Sequence, residues 1–225
     1  MKQVLIYCDK GVSPHSFQSL FSAFREHTHS TYRVQSVDHR FFYQSGWEET
    51  TALIVFPGGR DLPFHQLLKG EGNASIRAYV ENGGRFLGIC AGGYYGSSYI
   101  EFEKGGDLEV CGPRELAFFP GKAIGPAYGK GIFCYHSEMG TYAAPIKWKG
   151  GVSFMYFKGG CFFEKAEEFS SIEVLANYAD LPESPAAVVY CRVGRGAAIL
   201  SGIHPEFVPK PPHPFLSYLI EQITK

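Results

Sequence analysis

The chain has 225 residues, enough for one generous α/β core and short for two independent ones. Its composition is 45% hydrophobic and 19% charged, with 27 glycines, 19 phenylalanines and 14 tyrosines, which excludes a disordered chain and describes a compact one rich in turns and packed aromatics. Lys plus Arg (21) nearly balances Asp plus Glu (22), so no broad field exists to draw nucleic acid or an anionic membrane, and a small neutral or zwitterionic ligand fits better.

The N-terminal MKQVLIYCDK holds an apolar run too short for a signal-peptide core, and no later stretch is long enough to span a bilayer. A cytoplasmic location is expected. The six cysteines (Cys8, Cys90, Cys111, Cys134, Cys161, Cys191) are scattered, without a C-x-x-C pair or a zinc-like His spacing, so reduced thiols and no metal or cofactor are expected. Cys8, Cys134 and Cys191 lie in apolar or aromatic strand-like runs and read as buried, inert thiols.

In chain order, Val4–Tyr7 reads as a strand buried on both faces, stopped by Asp9 and Gly11. Ser13-Pro14 is a helix start, and Phe17, Leu20, Phe21 and Phe24 at helical spacing predict a helix over about 14–27. Tyr32–Val37 and Thr51–Phe56 predict the next strands, the second stopped by Pro57-Gly58-Gly59. Asn73 is read as capping a helix that ends at Gly83-Gly84, Arg85–Ile89 as a strand, and the small residues from Ala91 as a helix start. This order predicts a flavodoxin-like, doubly wound α/β domain with a mostly parallel sheet flanked by helices. From about 102 to 163 the chain turns Gly-, Pro- and aromatic-rich, as expected for a β-rich insertion of hairpins and loops decorating that core within one 1–225 domain. Ile172–Tyr178, Ala186–Val193 and Ala197–Ser201 then read as strands, with Gly194-Arg195-Gly196 as a hairpin turn, and Phe215–Ile223 as a closing helix.

Gly88-Ile89-Cys90-Ala91-Gly92 has the G-x-C-x-G form of a nucleophile elbow at a strand-to-helix junction. Gly88 and Gly92 leave room where a Cβ would crowd the turn, and the helix start favours thiolate over thiol. The alternative is a packed thiol in an ordinary turn. A thiolate nucleophile needs an imidazole base, and the imidazole an orienting carboxylate. Gly202-Ile203-His204-Pro205-Glu206 supplies both just after a strand, which makes Cys90, His204 and Glu206 the candidate catalytic set. The glycines of Pro57-Gly58-Gly59 allow backbone N–H groups to approach a substrate, so Gly59 and Ala91 are the candidate oxyanion donors, with Gly58 and Gly92 beside the ligand. A plain turn is the other reading of that segment.

These motifs, in this order, resemble the class I glutamine amidotransferase-like superfamily, in which a Cys elbow and a His-x-Glu segment form a Cys-His-Glu triad. Within it, Pro57-Gly58-Gly59-Arg60-Asp61-Leu62-Pro63, Cys90-Ala91-Gly92-Gly93-Tyr94-Tyr95, Gly112-Pro113-Arg114-Glu115, Tyr135-His136-Ser137-Glu138 and Leu200–Glu206 are similar to the N-terminal domain of biotin protein ligases. The resemblance covers nearly the whole chain. It implies that Asp61, Tyr94 and Tyr95 rim the same pocket, the tyrosines alternatively packing a helix against the sheet, and that His136 and Glu138 add a polar wall near the site. Arg114-Glu115 are a buried ion pair pinning the insertion or, alternatively, a clamp for a substrate carboxylate. It implies a glutaminase-like amidohydrolase acting on a small amide or amino-acid-like ligand, with a synthase or ligase protein as a possible partner. That family normally continues into a ligase domain with a Gly-rich biotin-binding segment and a catalytic lysine. Neither is read here, so biotin ligation by this chain alone is not expected. The alternative is a non-catalytic regulatory or metabolite- or protein-binding module. A superfamily hydrolase of the protease or deglycase kind would place His directly after the elbow Cys, where Ala91 stands.

Overall fold

The computed structural model describes residues 2–28, 32–207 and 214–224. Its first half alternates strand and helix: β1 (Gln3–Tyr7), α1 (Pro14–Thr28), β2 (Arg33–Val37), β3 (Thr51–Phe56), α2 (Asp61–Leu68), α3 (Glu71–Glu81), β4 (Arg85–Ile89) and α4 (Ala91–Tyr95). The second half is mostly strand: β5 (Ser97–Phe102), β6 (Val110–Pro113), β7 (Phe119–Gly125), β8 (Thr141–Trp148), β9 (Gly151–Lys158), β10 (Phe162–Phe163), β11 (Ile172–Tyr178), β12 (Ala186–Val193) and β13 (Gly196–Ser201), closed by α5 (Pro214–Thr224).

The apolar runs become the centre of a parallel sheet in the order β2-β1-β3-β4-β13. Parallel strands covered by helices on both faces must be apolar on both, which is why β1 and β3 show little polar alternation. Successive side chains point to opposite faces, so Leu5, Tyr7, Ile54 and Phe56 enter one core and Val4, Ile6, Leu53 and Val55 the other. The first core also holds residues of α2 and α3, such as Phe64 and Ile76, and the second holds residues of α1 and α5, such as Leu20 and Leu219. Each fully buried side chain of this size contributes about 1.5–3 kcal/mol. The aromatic richness is spent largely in the first core, where Tyr7 stacks on Phe56 at 4.5 Å and Phe56 on Phe86 at 5.4 Å.

Four details depart from the sequence reading. The insertion does not decorate the core but extends its sheet: β5 and β7 run parallel, and β10 bridges β7 to β12. The β8–β9 hairpin attaches through β11. A helix, α2, follows the Pro57-Gly58-Gly59 turn directly, and Asn73 is not a cap: it lies buried within α3, bonding the Glu115 carboxylate and the Tyr95 hydroxyl. The helix after Cys90 is only five residues long, since Gly92, Gly93 and Gly96 sustain a helix poorly. Cys8 is exposed at the end of β1 and Cys134 half-buried, while Cys191 is buried as expected. All six cysteines are unpaired. No helix among the described residues is long and apolar enough to cross a membrane.

Candidate active site

Three adjacent strands, β3, β4 and β13, end at the same edge of the sheet, and each delivers one motif there: Gly58-Gly59, Cys90 and His204 to Glu206. The C-terminal edge of a parallel sheet is where open α/β folds place their ligands.

Cys90 adopts φ 49° and ψ −100°, a region that costs a non-glycine residue about 1–3 kcal/mol. Close packing enforces it. A Cβ on Gly88 would come within 2.3 Å of the Gly92 carbonyl oxygen, one on Gly92 within 2.3 Å of the Phe56 carbonyl oxygen, and one on Gly93 within 2.7 Å of that of Ser201. The Cys90 N–H donates to the Ser201 carbonyl at 2.7 Å, which locks the elbow to β13. The side chain is 6% exposed, and its sulfur lies 3.7 Å from the Lys158 carbonyl oxygen of β9.

His204 Nδ1 donates to Glu206 Oε1 at 2.8 Å, and the imidazole and Cys90 line the same cavity. Burial alone would lower the imidazole pKa. The charges of Glu206 and Cys90 and the hydrogen bond to Glu206 outweigh it, and His204 is pushed up to about 10. The ring plane is set by Phe207, stacked at 4.9 Å, and by the edge of Tyr156 at 5.7 Å, while the His204 N–H donates to the Tyr156 carbonyl at 3.0 Å. The strand β9 therefore borders both Cys90 and His204 with its outer edge.

A cavity of about 260 Å³ opens on this array, lined by Ser13, His15, Gly59, Cys90, Phe133, Tyr135, Glu138, Tyr156, Lys158, His204 and Phe207. A second void of about 30 Å³ touches Cys90 from the other side, between Gly59, Asp61, Ala91, Tyr94 and Phe102. The first lies below the ~300–1,000 Å³ usual for drug-sized ligands, and the second is water-sized. Among the described residues no set of three or more His, Cys, Asp or Glu side chains is grouped to hold a metal ion.

The structure thus brings together Cys90, His204, Glu206, Gly58, Gly59, Ala91 and Gly92. Gly58 packs against the imidazole, where a Cβ would meet His204 Cε1 at 2.5 Å. Asp61 borders the small void but is buried in an ion pair with Arg114 at 2.6 Å. Burial raises its carboxyl, against the pull of Arg114. This replaces the expected Arg114-Glu115 pair: Glu115 instead accepts from Asn73 and the Gly70 N–H. Tyr94 borders the same void and donates its hydroxyl to the Gly159 carbonyl at 3.0 Å. Tyr95 lies in the aromatic core, and His136 is exposed on a turn; neither lines the two cavities.

Ser16, on the first turn of α1, carried no signal in the sequence beyond its place three residues after the helix-starting Ser13. Fully buried, it donates its hydroxyl to Glu206 Oε1 at 2.7 Å and accepts from the Gly58 N–H at 2.9 Å. Tyr156 and Lys158 were equally hidden, because only the fold carries β9 to the site.

A parallel five-strand core flanked by helices, with a cysteine elbow at its C-terminal edge, defines a flavodoxin-like, doubly wound α/β fold. In agreement, the PurLQS structure from Thermotoga maritima superposes with a TM-score of 0.60 over 92% of this chain and 89% of that one, at 14% identity. Residues 2–218 match the family described as biotin-protein ligase, N terminal, and the chain belongs to that family. A Chlamydia muridarum (strain MoPn / Nigg) protein named only as uncharacterized is 45% identical over 215 residues, 93% of this chain and 82% of its own length. The biotin–protein ligase of Schizosaccharomyces pombe (strain 972) is 37% identical over 211 residues, covering 91% of this chain. The match spans only 33% of that ligase's own length.

Proposed function

We propose that this domain is a cysteine-dependent amidohydrolase of the glutaminase type that acts on a small amide. The observation that carries the reading is the array Glu206–His204–Cys90, with its 2.8 Å carboxylate–imidazole bond and with the imidazole and the thiol lining one cavity. The Cys90 sulfur, its proton held on His204, attacks the amide carbon, forming a C–S bond and a tetrahedral oxyanion held by the N–H groups of Gly59 and Ala91. Ala91 is the first residue of α4, where an N–H has no acceptor within the helix. Collapse breaks the C–N bond, and His204 gives its proton to the departing nitrogen, leaving an acyl thioester. Water then attacks that carbon, His204 takes its proton, the C–S bond breaks and a carboxylic acid leaves. Glu206 keeps the ring in the tautomer this requires. The six unpaired cysteines, Cys8 exposed among them, support a cytoplasmic setting.

The test is hydrolysis of a panel of primary amides, glutamine first, with release of ammonia or amine measured for the native chain and Cys90→Ala. Turnover that vanishes in the variant supports the reading; equal rates in both, or none in either, overturn it.

The likeness to one third of a biotin–protein ligase, in a family described as its N-terminal part, supports a second reading, a regulatory module that binds a metabolite or a ligase or synthase partner without turning anything over. A ligand that raises the melting temperature of the domain and is recovered unchanged would favour it.

A further inference from the structure

The array at Cys90 does not end at Glu206. Its carboxylate oxygen Oε1 accepts from His204 Nδ1 at 2.8 Å and from Ser16 Oγ at 2.7 Å, while Oε2 is buried without a hydrogen-bond partner among the described residues. Ser16 in turn accepts from the Gly58 N–H at 2.9 Å. The other side of the same loop is held as well: the Gly58 carbonyl accepts from the Ser13 N–H at 2.8 Å, and the Arg60 N–H donates to the Gly11 carbonyl at 2.8 Å.

A hydroxyl is the smallest side chain able to donate and accept at once. At a fully buried point it links two pieces of the site that lie 42 and 190 residues away in sequence. We propose that Ser16 is a positioning residue: it orients Glu206 toward His204 and holds the Gly58-Gly59 loop at the distance from Cys90 that the oxyanion requires. The two halves of the site are thereby set by one hydroxyl. The proposal rests on Cys90, His204 and Glu206 acting as a nucleophilic array, but its test reads the array and not turnover.

The experiment uses the full chain as wild type, Ser16→Ala and Ser16→Thr. Histidine ring titration is followed by NMR, with the His204 signals identified by their loss in His204→Gln, alongside Cys90 alkylation by iodoacetamide at pH 7. Without Ser16 nothing holds the Glu206 carboxylate facing His204, and as it turns away the imidazolium loses part of what holds its proton. The His204 midpoint is therefore expected to fall by about one pH unit in Ser16→Ala, the scale of one hydrogen bond to a charged group. A carboxylate that stayed in place would, with its donor gone, raise the midpoint instead, and such a rise would overturn the positioning role. Cys90 alkylation should slow as the imidazole moves off its line to the thiol, and Ser16→Thr should restore both. A His204 midpoint and an alkylation rate unchanged in Ser16→Ala, whatever the melting temperature does, would overturn the proposal. So would equal losses in the alanine and threonine variants, which would make the site one of packing alone. If no amide is ever turned over and the His204 shift still appears, the proposed reaction fails and the role of Ser16 stands.

Discussion

His204 and Glu206 are joined by a 2.8 Å bond from Nδ1 to Oε1 in a place where both side chains are almost dry, 7% and 0% exposed. A carboxylate so buried is costly unless a cation or donors face it. His204 supplies the charge, and the same pairing keeps the imidazole protonated far above its ordinary range.

The pairing has a consequence for stability. The folded-state pKa of His204 is raised from 6.5 to about 10, so the folded chain holds this proton more tightly than the unfolded one. The stabilisation is full below pH 6.5 and is lost as pH rises through about 10. The urea midpoint of the native chain should decline across that window. The decline should flatten in His204→Gln, which has no proton to lose. An equal decline in both would show that other groups govern it.

Alkylation should separate the cysteines. Loss of the imidazolium in His204→Ala should slow Cys90 modification at pH 7 by at least tenfold. Cys134 is a built-in control, because a hydrogen bond from Ser137 lowers its thiol pKa independently of His204. Cys161 and Cys191, pushed up by burial, should stay unlabelled. Peptide mass spectrometry reads all of them in one sample. Equal Cys90 labelling in both proteins would mean that the pair does not act on the thiol.

What could be read in advance was local. The apolar runs of β1, β3 and β4 and the G-x-C-x-G elbow each owe their form to neighbours within a few residues. Turn glycines and strand periodicity therefore revealed them, along with His204 and Glu206. That His204 joins Cys90 was expected from the order of the motifs, whereas the pairing that brings it there, Ala197–Ser201 parallel to Arg85–Ile89, was not read in advance. Ser16, Tyr156 and Lys158 are ordinary in their own helix and strand and gain meaning only from long-range packing. Asn73 misled for a related reason: a residue type that caps helices is here spent on a cross-link between α3, Glu115 and Tyr95.

That cross-link has a neighbour in the Asp61–Arg114 pair, which ties α2 to the segment just after β6. Removing one partner of a buried pair strands the other, at a cost of about 3–5 kcal/mol. Arg114→Met should lower the unfolding free energy by that amount. Asp61→Asn combined with Arg114→Met should recover most of it, since no unpaired charge remains. Denaturant curves for the four proteins give the coupling directly, and strictly additive losses would contradict it.

Gly58 and Gly92 should fail in different ways when given the same methyl group. The Cβ of Gly58→Ala would meet the tip of a side chain, His204 Cε1 at 2.5 Å, with Ser16 Oγ at 3.3 Å. Rings and hydroxyls can move by tenths of an ångström, so the fold should survive within about 1–3 kcal/mol while the imidazole is pushed off its line to Cys90. Cys90 alkylation at pH 7 should then fall about as far as in His204→Ala. The Cβ of Gly92→Ala would meet the Phe56 carbonyl oxygen at 2.3 Å, backbone that is locked into the β3–β4 pairing. Relief there requires α4 to lift from the sheet, so the loss should appear first in the melting temperature. Measuring both properties on both variants tests the argument. A Gly58→Ala protein with native alkylation kinetics would show that the imidazole has slack the packing does not suggest.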